Sequence, residues 1–135
     1  MNTLSDTALQ QIVTYLTDNV RPLLIYLFGS AARGQLRSDS DVDVAFLPQH
    51  PLHAYDTFLH AQALADVVKR DVDLVDLSRA STVMQAEVVA RGQRLYEADR
   101  NERYGFEMRT LKAYTMLNEE RQCILDRMQK RGSAF

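Results

Sequence analysis

A chain of 135 residues, 46% hydrophobic and 25% charged, has the makeup of one folded domain whose core needs no structural metal. Its single cysteine, Cys123, excludes an internal disulfide and a Cys/His zinc set. A net charge of −2 argues against direct nucleic-acid binding, and no apolar run approaches the ~18 residues that a membrane span requires.

In chain order, Met1 to Asp6 has neither the basic nor the apolar region of a secretory signal, so the expected location is cytoplasmic. Ser5 is a candidate N-cap, and Leu9, Ile12, Val13, Leu16 and Val20 follow at helical spacing, predicting a helix over about Asp6–Asn19. Pro22 separates it from Leu23–Phe28, a strand so uniformly apolar that it should be central and covered on both faces. Gly29 to Ser40 reads as a long turn that can open on one helical turn. A second strand is expected over Asp41–Leu47, stopping at Pro48, with residues 48–51 as a loop.

A helix over Ala54–Val68 carries Phe58, Leu59, Ala61, Leu64, Ala65 and Val68, and a third strand spans Val72–Leu77. Ser78 or Ser81 caps a helix to about Ala90, Gly92 stops it, and Arg94–Glu97 is a short extended piece. Asp99 with Glu102 forms a capping-box pattern for a last helix, about Arg100–Lys130. The apolar set of that helix, from Phe106 to Met128, is too broad for a coiled-coil seam. The expected class is α/β (α+β): a small mixed sheet flanked by helices, with a long C-terminal helix. Charge is uneven along it, with 8 basic and 13 acidic residues over 1–99 but 8 and 5 over 100–135. The acidic body suits Mg²⁺ and a Mg-nucleotide. The basic tail is either a docking surface or a solvated helix face.

The chemistry concentrates in Gly29-Ser30, ten residues, then Asp41-Val42-Asp43. Gly29-Ser30-Ala31-Ala32-Arg33-Gly34 begins like a P-loop, but Gln35 and Leu36 stand where Lys and Ser/Thr belong. Gly29 would let the backbone approach a phosphate, Ser30 adds a hydroxyl, the turn's N–H groups form an anion nest, and Arg33 is a candidate phosphate contact. Asp39, Asp41 and Asp43 alternate like the start of a calcium loop, but Val44 and His50 occupy the positions that would need Gly and Glu. Asp39 suits a turn. Asp43 lies inside an apolar strand, where Asp is disfavoured and a charge calls for a partner such as a metal. Asp41 and Asp43 share a face, because strand side chains alternate.

Asp71, Asp73 and Asp76 repeat the anomaly on the third strand. Asp73, inside the apolar segment, is favoured over Asp71 as a third carboxylate, and Asp76 reads as structural. His50, His53 and His60 match no tight zinc pattern and read as surface or loop residues. Cys123 reads as a small helix-face residue.

Together these residues resemble the nucleotidyltransferase superfamily that shares the DNA polymerase β palm: Gly-Ser, about ten residues, Asp-x-Asp, and a third carboxylate on a later strand. The shortness of the chain resembles the minimal nucleotidyltransferase (MNT-domain) antitoxins paired with HEPN-family ribonuclease toxins. The resemblance implies a minimal nucleotidyltransferase domain over 1–98. The helical extension 99–135 would pack on it or dock the partner. It implies transfer of AMP from ATP to a toxin tyrosine. ATP would be held by Gly29, Ser30 and Arg33, and two Mg²⁺ ions by Asp41, Asp43 and Asp73, which are also the expected catalytic residues. Two alternatives carry different expectations: a non-catalytic antitoxin that neutralises its partner by binding, and a nucleotidyltransferase acting on a small molecule such as an antibiotic.

Overall fold

The computed structural model describes residues 4–37 and 39–133. The elements are α1 (Asp6–Asn19), β1 (Pro22–Phe28), α2 (Gly29–Ala32), β2 (Val42–Pro48), α3 (Ala54–Val68), β3 (Val72–Asp76), α4 (Thr82–Arg91), β4 (Gln93–Glu97) and α5 (Arg100–Ser133). The sheet runs in the order β3-β2-β1-β4. β1 pairs antiparallel with both β2 and β4, whereas β2 and β3 are parallel. The mixed sheet, flanking helices and long last helix agree with the class expected from the sequence.

The two central strands explain their own composition. Ile25 and Leu27 of β1, with Val42, Val44 and Phe46 of β2, join Ile12 and Leu16 of α1 and Leu64 of α3 in one core. The alternate residues Leu24, Tyr26 and Ala45 join Val88 of α4 and Phe106 of α5 in a second core on the opposite face. A strand buried on both faces has no polar side to display, hence the near-continuous apolar run of β1.

Several boundaries differ from expectation for local reasons. Pro22 is the first residue of β1, a place where its missing N–H costs little. β2 starts at Val42, so Asp41 closes the preceding loop rather than opening the strand. β3 ends at Asp76 because the Asp76 carboxylate accepts hydrogen bonds from the Ser78 N–H (2.9 Å) and hydroxyl (2.6 Å), turning the chain before Leu77. Ser81, not Ser78, caps α4, accepting from the Met84 N–H at 3.1 Å. At Gly92, a Cβ would lie 2.4 Å from the Val88 carbonyl and 3.1 Å from that of Leu27, so a glycine lets the chain pass directly from α4 into β4.

Helix α5 is anchored near its start. Asp99 caps it, accepting from the N–H groups of Asn101 and Glu102 at 2.7 and 3.1 Å. Phe106 and Thr110 are buried, and Tyr26 donates to Glu107 at 2.7 Å. Arg103 pairs with Glu97 at 2.6 Å and with Glu107 at 2.8 Å. Beyond Thr110 the apolar residues Met116, Ile124, Leu125 and Met128 are all more than half exposed. Among the described residues, no helix is long and apolar enough to cross a membrane.

Candidate active site

The site is built where β1 ends, β2 begins and β3 begins. Gly29 follows β1 directly, and its backbone is left-handed, with φ +68°. Antiparallel register sets Phe28 opposite Asp43, so the turn and the carboxylate meet. A Cβ added at Gly29 would fall 2.1 Å from Asp43 Oδ2. Glycine is thus required twice at this position, by the backbone conformation and by the close approach. The turn continues as the short helix α2. Its cap residue, Phe28, supplies no side-chain hydrogen bond. The N–H groups of the first turn are therefore not capped by a side chain and are available to an anion. The Ser30 carbonyl accepts from the Gln35 N–H at 2.8 Å and Gly34 has φ +69°, which closes the loop on itself.

The carboxylates come from two parallel strands and the loop before them. Register places Asp43 of β2 beside Asp73 of β3 on one sheet face. Asp43 is half-buried, Asp41 and Asp73 exposed. Burial pushes the Asp43 carboxyl above its ordinary range; the negative charges of Asp73 and then Asp41 add to this, and the Arg33 guanidinium opposes it. Asp73, Asp41 and Arg33 thus lie close enough to Asp43 to act on its charge. Ser30, Gln35, Arg37, Asp39 and Ser40 line a cavity of about 610 Å³ beside the turn. Asp41, Asp71 and Asp73 line another of about 510 Å³ with Thr57, Phe58 and Gln62 of α3.

Residues 10–101 match the family model described as polymerase beta, nucleotidyltransferase. The chain belongs to this nucleotidyltransferase family. It is 40% identical over 117 residues to the protein adenylyltransferase MntA of Shewanella oneidensis, covering 86% of this chain and 84% of that protein. Among solved structures it is similar to a toxin–antitoxin crystallised with AMP-PNP (38% identity, TM-score 0.81, covering 90% of this chain and 98% of that one). It is also similar to a chain in the complex of a tri-AMPylated Shewanella oneidensis HEPN toxin with its MNT antitoxin (35% identity, TM-score 0.77, 93% and 99% covered).

Of the other singled-out residues in this nucleotidyltransferase, Asp71 shares a cavity with Asp41 and Asp73, whereas Asp76, the histidines and Cys123 line neither cavity. Asp71 lies before β3, where its carbonyl accepts from the Val42 N–H at 2.9 Å. Asp76 is buried, bonded to Ser78 and 3.7 Å from Arg79. His50 and His53 are exposed, whereas His60 is half-buried and bonded to the Tyr15 hydroxyl at 2.8 Å, tying α3 to α1. That bond corrects the reading of His60 as a simple surface residue. Cys123 is exposed. Arg70 had given no signal in the sequence, yet its guanidinium reaches the loop that ends at Asp41.

Proposed function

We propose that this protein is an antitoxin that transfers AMP from ATP to a tyrosine of a cognate HEPN-family ribonuclease toxin and thereby silences it. The observation that carries this reading is the contact of the Gly29 turn with Asp43, beside Asp73, in a chain 40% identical to a protein adenylyltransferase. The phosphates of ATP lie against the N–H groups of the turn, with the Ser30 hydroxyl and the Arg33 guanidinium as further contacts. Both terminal phosphates leave as pyrophosphate when the tyrosine oxygen bonds to the α-phosphorus and the bond to the β-phosphate bridging oxygen breaks. Asp73 takes the proton of the attacking hydroxyl in this reading, help that a tyrosine with a pKa of about 10 needs near neutral pH.

A divalent cation fits the donor set. Asp43 and Asp73 are paired in register, and the half-buried Asp43 is held above its ordinary range by burial first and then by the charges of Asp73 and Asp41. A cation among them offsets that repulsion. Among the described residues no group of three His, Cys, Asp or Glu side chains is placed to hold a metal ion unaided. A hard ion at Asp41, Asp43 and Asp73 would therefore take its remaining oxygens from the nucleotide and water, as Mg²⁺ prefers. Bound there, Mg²⁺ would supply charge stabilisation for the attacking and leaving oxygens.

Residues 1–98 act as the transferase domain and 99–135 as the docking extension in this reading. The exposed apolar residues beyond Thr110 make the surface for the toxin. ATP as donor suits a cytoplasmic setting. Labelled ATP tests the reaction directly: label at the α-phosphate should appear on the toxin and label at the γ-phosphate should not. Toxin that carries neither label yet is fully neutralised would instead mark inhibition by binding.

A further inference from the structure

The loop that delivers Asp41 to the site has little regular structure of its own. Between α2 and β2 the Arg37 N–H donates to the Ser40 hydroxyl at 3.1 Å. Leu36 anchors the first half of the loop in the core, and Arg70 supports the part nearer Asp41. Helix α3 ends at Lys69, whose left-handed backbone (φ 60°) turns the chain sharply. The Arg70 N–H closes that turn on the Ala65 carbonyl at 3.2 Å. From there the Arg70 guanidinium donates through one nitrogen, Nη2, to two loop carbonyls, those of Arg37 and of Ser40 (the latter at 3.2 Å). The next residue along, Asp71, accepts the Val42 N–H at 2.9 Å. Asp41 is therefore held on both sides, at the Ser40 carbonyl and the Val42 N–H, by two successive residues of the turn that leads into β3.

We propose that Arg70 is a positioning residue for nucleotidyl transfer: it clamps the backbone at Arg37 and Ser40 to the α3–β3 turn and so fixes Asp41 relative to Asp43 and Asp73. The chemistry favours an arginine for this task. A planar guanidinium can serve two carbonyls at fixed angles, whereas a lysine ammonium presents a mobile point charge. The Nε of Arg70 is buried and has no hydrogen-bond partner among the described residues, so the side chain is held in place by the Nη2 bonds. Asp41 itself is exposed and has no packing of its own to fix it. A carboxylate that must meet a cation and a nucleotide in one geometry loses rate steeply when displaced by about 1 Å.

The inference about transfer rests on the function proposed above, but the clamp itself can be tested without it. The variants are Arg70→Ala and Arg70→Lys, with wild type as reference. Hydrogen exchange at the backbone amides of residues 36–42 should speed up by about tenfold or more in Arg70→Ala, while the amides of β1 and α1 keep their protection. Calorimetry with Mn²⁺ and AMP-PNP should show weaker binding by about 10- to 100-fold. AMP transfer to the toxin should lose mainly kcat, by about 10- to 100-fold, with Arg70→Lys between the two. Unchanged exchange in the loop overturns the clamp. Faster exchange with unchanged nucleotide-metal binding and unchanged kcat overturns its role in positioning. If Arg70→Ala does not fold, Arg70→Lys carries the same measurements, and wild-type behaviour in all three overturns the proposal. Absence of transfer by the wild type would count against the proposed function, and the exchange and binding data would still decide the clamp.

Discussion

Asp43 and Asp73 stand side by side on adjacent parallel strands, and the charge of Asp73 helps hold the Asp43 carboxyl above its ordinary range. Two like charges are kept together on a partly buried face against their own repulsion. This costs the free protein stability.

The sign of that cost can be measured. A raised carboxyl pKa in the folded state means that the folded chain binds the proton more tightly than the unfolded chain does. Ionising Asp43 therefore lowers stability as pH rises through the ordinary carboxylate value and past the raised one. Below the ordinary value the cost is absent. Without added metal, Asp43→Asn should melt a few degrees above wild type near neutral pH, and the gap should close in acid. Thermal melts across pH check this, and a variant that is less stable near neutral pH would contradict it.

Gly29→Ala forces a Cβ to within 2.1 Å of Asp43 Oδ2 on a backbone at φ +68°. The left-handed conformation alone should cost about 1–2 kcal/mol. Relief of the clash also moves Asp43, so transfer should fall by roughly 100-fold. Urea unfolding and a transfer assay on the same preparation separate the two effects.

The two ends of α5 should respond differently. Phe106 is 7% exposed between β1 and α4, and Phe106→Ala should cost about 3–5 kcal/mol. Met128 is 62% exposed, and Met128→Ala should change stability by less than about 0.5 kcal/mol. The same change should weaken the complex with the toxin. Denaturant unfolding and a titration of the toxin give the two readings.

Tyr26 crosses the second core to reach Glu107, and burial, then this bond and the Glu107 charge, push the phenol far up from its ordinary pKa. Glu107→Ala leaves that hydroxyl buried without its acceptor and should cost about 1–3 kcal/mol. Tyr26→Phe removes donor and orphan together and should cost less. Equal losses in urea unfolding would contradict this account of the pair.

Much of the fold was legible because periodicity and caps are local. Ser5, Leu9, Ile12 and Leu16 mark α1, and the unbroken apolar run of β1 marks a strand covered on both faces. The glycine-serine turn and the Asp-x-Asp pair were legible for the same reason. The preference for Asp73 over Asp71 rested on its place inside an apolar segment; Asp73 is exposed, and its pairing with Asp43 across the parallel strands was not legible. Pairings between distant segments leave no such local mark. The Tyr15–His60 bond joins residues 45 apart, and the Arg70 bonds to Arg37 and Ser40 end on backbone carbonyls, which every residue possesses.

We propose that Asp41, Asp43 and Asp73 together move AMP onto the toxin. Intact-mass spectrometry of the cognate HEPN toxin after incubation with this protein, ATP and Mg²⁺ tests it most directly. The wild type should add whole AMP units that map to a tyrosine. Asp43→Asn should add none on the same time scale, although it still folds and binds the toxin. Toxin of unchanged mass with the wild type, or equal AMP addition by Asp43→Asn, would contradict the account.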